Sequence, residues 1–331
     1  MVRIGIVGLG FMGSMHAACY EQLQKKHNVK VIAVADLNTD KAKEIAKKFG
    51  AMVYGSAEDL IENANVTVVD ICLPTFLHSE YSIKAMEKGY NVFVEKPVCR
   101  TLIQAEELLE AQRKTGSKVM VGHCIRLWPE YIILKRIVDS NKYGRIKNAV
   151  FSRISPKPEY SWENWLLDAQ RSGSAALDLH IHDIDYIRYL LGEPDIIKAA
   201  ASSYENPDHI FSILKYGDTI VSIEGGWDFP ANMPFEMRFR VRFDNAVVSL
   251  CSNDAEPLKI YTQSGEIIMP KVDTEFHSKD SSLGGNISSL AGYYNELKYF
   301  IECLNENKEI EIAPLTEGIK SLKLVMSELA K

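Results

Sequence analysis

The stretch LDLHIHDIDY, running from Leu177 to Tyr186, sets Asp178, His180, His182, Asp183 and Asp185 among aliphatic residues. What such a cluster can do depends on how the chain winds through it. On a strand, Asp178, His180 and His182 share a face, and the H-x-H spacing suits a metal ion. On a helix, Asp178, His182 and Asp185 share a face at i, i+4 and i+7, while His180 points nearly the other way. The helix is the better reading, because Leu177, Ile181, Ile184 and Leu191 continue one apolar stripe and Gly192 followed by Pro194 supplies a stop. A helix over Ser174 to Leu191 is expected, and a metal site there loses a ligand, so none is assigned. A hydrogen-bonded structural histidine and proton transfer remain. Histidine suits the second task because its ordinary pKa lies near working pH.

A second signature opens the chain. GIVGLGFMGSMH places Gly8, Gly10 and Gly13 in a G-x-G-x-x-G directly after a strand-like run, with Phe11 and Met12 between the second and third glycines. Gly8 permits a tight turn, Gly10 lets the backbone approach a pyrophosphate, and Gly13 lets the following helix pack closely. The phosphates of a dinucleotide would then meet the free N–H groups at a helix N-terminus. A second strand-like run ends in Asp36, where a carboxylate can accept bonds from both hydroxyls of the adenosine ribose. That carboxylate would repel a 2′-phosphate, so NAD rather than NADP is expected. CLPTFLH, with Pro74, Thr75 and His78, and VEKPV, with Glu95 and Lys96, leave two further strand ends, and both complete the expected cofactor-binding set. Pro97 biases Lys96 away from the helical region and towards a loop.

Those residues need a scaffold, and the periodicity supplies one. RIGIV, KVIAVA, VTVVDICL, NVFVE and KVMVG read as strands, and Asn38 to Phe49, His78 to Lys88 and Thr101 to Thr115 as helices between them. Alternation of this kind implies crossover connections and a doubly wound parallel sheet, an α/β Rossmann domain over residues 1–122. From residue 123 to 331 the pattern turns to hairpins and marks an α+β domain with an open, mainly antiparallel sheet, expected to bind substrate and to mediate assembly. HIFSILKY and TIVSIEGGW flank Gly217-Asp218, and FEMRFRVRF alternates apolar residues with Arg238, Arg240 and Arg242 before turning at Asp244-Asn245. The arginine row reads as a solvated or partner-facing edge of the alternation. Two helices close the chain, and Asp273 to Asn286 reads as a long mobile loop. There is no internal repeat.

Composition narrows the partners. The 331 residues are 46% hydrophobic and 25% charged with a formal net charge of -6, which suits folded domains and disfavours nucleic acid or an anionic membrane as the main partner. A small molecule is the expected partner. Six scattered cysteines without a C-x-x-C pair read as free thiols of a reducing compartment, with the cytoplasm as the expected location. No apolar run approaches the roughly 20 residues of a membrane span. VRIGIVG begins at the second residue, so no signal peptide is expected.

Taken together, GLGFMG, VADLN, PTFLH, VEKPV and SGSAALDLHIHDIDYIRYLLG resemble the glucose-fructose oxidoreductase, inositol dehydrogenase and MocA family over nearly the whole chain. The resemblance implies a Rossmann domain followed by an open sheet that commonly mediates dimers or tetramers. It also implies that Lys96, Asp178 and His182 serve the oxidation of a polyol or sugar. Ser174 stands where a second glycine is more usual, and GHCIRLWPEY, from Gly122 to Tyr131, departs from an asparagine-arginine form, which bears on the substrate. Arg126, Trp162, Trp165, Asp178 and His182 are the expected substrate contacts. His182 would take the hydroxyl proton, Asp178 orient the ring or bind a neighbouring hydroxyl, and Lys96 stabilise developing alkoxide charge; Asp185 is a weaker supporting candidate. Three alternatives stay open: a transient hydride step with retained NAD giving glycoside cleavage or epimerisation, a non-catalytic dinucleotide sensor, and a metal-dependent hydrolase.

Overall fold

The computed structural model describes residues 1–203, 205–272, 275–276 and 290–330. The expected loop from Asp273 to Asn286 lies outside the described residues apart from Glu275 and Phe276. The chain divides into two compact units.

In the first unit, β1 (Val2–Val7), β2 (Val29–Ala35), β3 (Met52–Tyr54), β4 (Val68–Ile71), β5 (Asn91–Glu95) and β6 (Val119–Gly122) form a parallel sheet in the order β3-β2-β1-β4-β5-β6. Between them run α1 (Phe11–Lys26), α2 (Thr39–Phe49), α3 (Ala57–Asn63), α4 (His78–Glu87) and α5 (Leu102–Thr115). The doubly wound expectation holds, and β4 is buried at every position, as a strand covered on both faces must be. The caps explain the helix limits. Asn38 accepts from the Lys41 N–H at the start of α2, Thr101 and Gln104 form a capping box on α5, and Gly50 and Gly116 end these two helices in the left-handed region. Two elements escape periodicity: β3 has three residues, two of them exposed, and α3 is a short helix capped by Ser56.

In the second unit, α6 (Pro129–Asp139), β7 (Ile146–Pro156), α7 (Ala169–Ser172) and α8 (Ile181–Leu191) precede β8 (Ile196–Ala201), β9 (His209–Tyr216), β10 (Thr219–Phe229), β11 (Glu236–Phe243), β12 (Ala246–Cys251), β13 (Leu258–Thr262) and β14 (Ile267–Ile268). The sheet order is β14-β13-β12-β11-β7-β10-β9-β8. Every neighbouring pair is antiparallel except β7 with β10, so the sheet is mainly antiparallel, as the hairpins imply. Tyr216 pairs with Thr219 across Gly217-Asp218, and Arg238, Arg240 and Arg242 face outward while Phe239 and Val241 are buried.

One boundary is corrected. The closing helices α9 (Ala291–Asn305) and α10 (Leu315–Leu329) were expected in the second domain with everything after residue 122, yet α9 and the start of α10 belong to the first unit. The reason is packing: the apolar stripe of α9 meets α1, β1 and β6, and Leu297, Phe300 and Ile301 are buried. The remainder of α10, from Ser321, belongs to the second unit.

Candidate active site

The glycine loop is built as its spacing requires. Gly8 adopts φ +82°, and a Cβ there would stand 2.7 Å from the Cys72 carbonyl oxygen. A Cβ on Gly13 would stand 1.9 Å from the Gly8 carbonyl oxygen, so only glycine lets α1 pack here. Gly10 has nothing within 4 Å of its Cβ position, which leaves open space over the N-terminus of α1. Phe11 and Met12 are half-buried in the first turn. Asp36 follows β2, and its carboxylate accepts the Leu9 N–H at 2.6 Å and the Asn38 N–H at 2.7 Å. Two backbone donors thus orient one acid beside the loop, and Lys41 reaches the Gly10 carbonyl at 3.5 Å. Open space at a helix N-terminus and an oriented carboxylate fit a dinucleotide.

The other expected cofactor contacts stand at the carboxyl ends of β4 and β5. Pro74 is half-buried and Thr75 buried. The His78 ring bridges the two loops, with Nδ1 2.8 Å from the Pro97 carbonyl and Nε2 2.7 Å from the Leu73 carbonyl. Burial pushes this ring below its ordinary value despite both carbonyls. Lys96, half-buried, precedes a cis bond to Pro97. Glu95 is buried; its Oε2 accepts the Lys96 N–H at 3.1 Å, and its Oε1 lies 3.1 Å from His16 Nε2.

His16 lies one turn beyond Gly13, and sequence reasoning passed over it. Its Nδ1 lies 2.9 Å from Asp70 Oδ2 and 3.3 Å from Cys72 Sγ. Burial opposes a charged ring, yet Asp70 and Cys72 outweigh it and hold His16 well above the ordinary value. An imidazolium explains the geometry, since both ring nitrogens face carboxylates and only the charged ring has two N–H groups. Burial tends to raise Glu95, but the His16 bond and charge, with Lys96, bring it below the usual range. Glu296 of α9, buried beside them, is pushed well up by burial and by Glu95. Two sets of donors here lie close enough to hold a metal ion: His16, Asp70 and Cys72, and His16, Glu95 and Glu296. The signal available in the sequence was Asp70, a lone charge within the apolar run VVDICL.

In the second unit the Leu177 to Tyr186 cluster sorts itself. Helical winding begins at Ser174, whose φ is +60°, passes through a π turn at Ala176–His180 and continues as α8. Leu177, Ile181 and Ile184 are buried, so the apolar stripe is where periodicity placed it. His180 is buried too, with Nε2 3.0 Å from Glu328 Oε2 and 3.1 Å from Ser212 Oγ, against β9 and β10. Asp183 takes both arms of Arg153 at 3.0 and 3.1 Å, and Asp185 takes both arms of Arg126 at 2.8 Å. Asp178 and His182 are the two members left half-buried. Asp185, expected on their face, is buried, and Ser321 donates to it at 2.7 Å. Among the described residues no metal-spaced set includes Asp178, His180, His182 or Asp185.

The other expected substrate contacts divide. Arg126 is buried, held by Asp185 and packed over the Tyr189 ring at 4.9 Å, so it acts as a strut for α8. Trp162 is 54% exposed with the Arg171 guanidinium over its ring at 5.5 Å. Trp165 is half-buried against Leu166, Ala175, Leu179 and Trp227. Ser174 donates to Asp208 at 3.3 Å, and Asp208 also accepts from the Trp227 indole at 2.6 Å. A serine in a left-handed position is thus tied into that same core.

Residues 2–123 match the profile of an oxidoreductase family with an NAD-binding Rossmann fold, and residues 131–249 match the GFO/IDH/MocA C-terminal domain. The chain is 29% identical over 266 residues to levoglucosan dehydrogenase of Pseudarthrobacter phenanthrenivorans, covering 75% of this chain and 66% of that protein. It is 31% identical over 194 residues to myo-inositol 2-dehydrogenase of Thermotoga maritima, covering 58% of this chain and 55% of that protein. With scyllo-inositol 2-dehydrogenase (NAD(+)) of Bacillus subtilis it shares 27% identity over 323 residues, covering 93% and 87%. Among solved structures, levoglucosan dehydrogenase in complex with NADH and levoglucosan superposes with a TM-score of 0.84 at 19% identity over 99% of this chain and 97% of that one, a likeness of fold.

Proposed function

The chain belongs to the GFO/IDH/MocA oxidoreductase family, and from that premise we propose that it is an NAD-dependent dehydrogenase of a secondary alcohol on a cyclic polyol, sugar or sugar derivative. The observation that carries this reading is the sorting of the acid and histidine cluster. His180, Asp183 and Asp185 are buried in contacts within the second unit, whereas Asp178 and His182 stay half-buried on the helix. Asp178 and His182 therefore remain within reach of a ligand.

When bound, NAD supplies the two-electron acceptor for hydride from the alcohol carbon. The chain does the rest. His182 takes the hydroxyl proton, and Asp178, on the same helix, orients the imidazole or holds a neighbouring substrate hydroxyl. Lys96 stabilises the developing alkoxide charge. Gly8, Gly10 and Gly13 admit the pyrophosphate, and Asp36 holds the adenosine ribose and disfavours a 2′-phosphate. Trp162 and Trp165 offer flat apolar faces to a sugar ring. The names of the relatives, levoglucosan and inositol dehydrogenases, support a cyclic substrate rich in hydroxyls. Free cysteines suit a reducing compartment, and a cytoplasmic homo-oligomer is the expected form. Among the described residues no helix is long and apolar enough to cross a membrane.

The test is a panel of inositols, hexoses, anhydrosugars, deoxysugars and nucleotide sugars, read by absorbance with NAD and with NADP. Reduction of NAD by at least one cyclic polyol or sugar, with NADP slower, is expected. Tight NAD binding by calorimetry with no reduction, and no product from retained cofactor, would mark a dinucleotide sensor instead. Hydrolysis lost to EDTA and restored by zinc would replace this reading with a metal-dependent one.

A further inference from the structure

The network around His16 has no part in the chemistry above, yet it joins two of that chemistry's components. His16 belongs to α1, whose N-terminus carries the glycine loop, and its Nε2 contacts Glu95 Oε1 at 3.1 Å. Glu95 Oε2 accepts the Lys96 N–H at 3.1 Å. A second grip comes from β6: the Glu95 carboxylate packs so closely on Gly122 that a Cβ there would stand 3.0 Å from Oε1. His16 is fixed in turn by Asp70 of β4 at 2.9 Å and by the Phe93 ring, edge-on at 5.5 Å. Every member of this chain of contacts is buried except Lys96.

We propose that His16 is a positioning residue for Lys96 that acts through Glu95: its ring grips the carboxylate, and the carboxylate fixes the Lys96 backbone. This rests on reading Lys96 as the lysine that stabilises alkoxide charge. A charged ring is needed because the pocket holds other acids. Asp70 and Cys72 face His16 from β4 and the loop after it, Glu95 from β5, and Glu296 and Tyr293 from α9, while Cys19 and Tyr20 lie near it on α1 itself. Without that grip the Glu95 carboxylate is no longer held against the Lys96 N–H. The consequence is mechanical, because the His16 contacts make one path from the helix that receives the dinucleotide phosphates to the lysine loop.

Competitive acylation of lysine amines, read by mass spectrometry across pH, tests this without any turnover. The full-length protein is compared with His16→Gln, Glu95→Gln and the double variant, with Lys84 and Lys88 as internal references. Release of the backbone that the carboxylate fixes should raise Lys96 acylation relative to Lys84 and Lys88 by about threefold or more, at alkaline as at neutral pH. The double variant should match either single one. Unchanged Lys96 reactivity in folded variants overturns the proposal. So do additive effects of the two substitutions. If His16→Gln does not fold, the isosteric Glu95→Gln still decides between the outcomes. A protein that proves inactive on every sugar leaves this result readable, so failure of the dehydrogenase reading and failure of the His16 coupling are separate outcomes. Where turnover is found, both variants should lose kcat by about tenfold or more.

Discussion

His180 and His182 stand two positions apart and are separated by their surroundings. His180 is enclosed by Glu328 and Ser212, and a Cβ on Gly225 would come within 2.8 Å of its own Cβ, whereas His182 is half-buried. If His182 is the base, His182→Ala should lower turnover by about 10²- to 10⁴-fold and leave NAD binding nearly unchanged. His180→Ala strands a buried Glu328 carboxylate and should cost about 1–3 kcal/mol of stability, seen as a lower Tm, with kcat largely kept in the folded fraction. Turnover and melting of the two variants, measured side by side, check both halves; a larger kcat loss from His180→Ala would reverse the assignment. The face of the helix on which each histidine lies was legible from the spacing of Leu177, Ile181 and Ile184. The fate of Asp185 and Arg126 was not. They lie 59 positions apart, and no local pattern announces a buried ion pair between such distant residues.

Elements show the same division between local and non-local information. The glycine loop could be read in full, because each glycine answers to a steric demand within its own turn. That makes the glycines separable by experiment. Gly13→Ala forces a Cβ to 1.9 Å from the Gly8 carbonyl oxygen, so it should disrupt the start of α1 and lower both Tm and NAD affinity. Gly10→Ala meets nothing within 4 Å, so it should lower the Tm far less than Gly13→Ala does. Its NAD affinity should nonetheless fall by about tenfold or more, since the methyl occupies the line along which pyrophosphate approaches. Calorimetric titration with NAD alongside thermal melting checks this, and unchanged affinity in Gly10→Ala would place the phosphates elsewhere. The π turn at Ala176–His180 lay beyond sequence reasoning, because a single widened turn leaves the apolar stripe in place. β3 was missed for a related reason: three residues cannot display an alternation.

At the scale of the molecule, α9 returns to the first unit because its apolar stripe is complementary to α1, β1 and β6, a match that only the folded sheet creates. The second unit poses the opposite question, since its sheet has one face without a covering element among the described residues. The inner face carries Ile210, Leu214, Val221, Ile223, Phe151 and Phe239, all buried. On the outer face, Ile196 is 46% exposed, Phe211 54%, Ile213 44% and Ile220 48%, on three adjacent strands. Beyond Val150 on β7 the same face continues into Arg238, Arg240 and Arg242 on β11, with Glu224 and Glu236 among them. Clustered aliphatic and aromatic side chains at such exposure are costly in water, and a face bearing both charge signs can pair with itself about a two-fold axis. The expected outcome is a dimer or larger closed assembly through this sheet. Light scattering at micromolar protein should give a multiple of 37.3 kDa. Phe211→Glu combined with Ile213→Lys should shift the mass towards one chain while the Tm of the first unit's transition is kept. A parent protein that scatters only as a single chain sinks the idea, and an assembly untouched by the double substitution moves the interface to another face of the molecule.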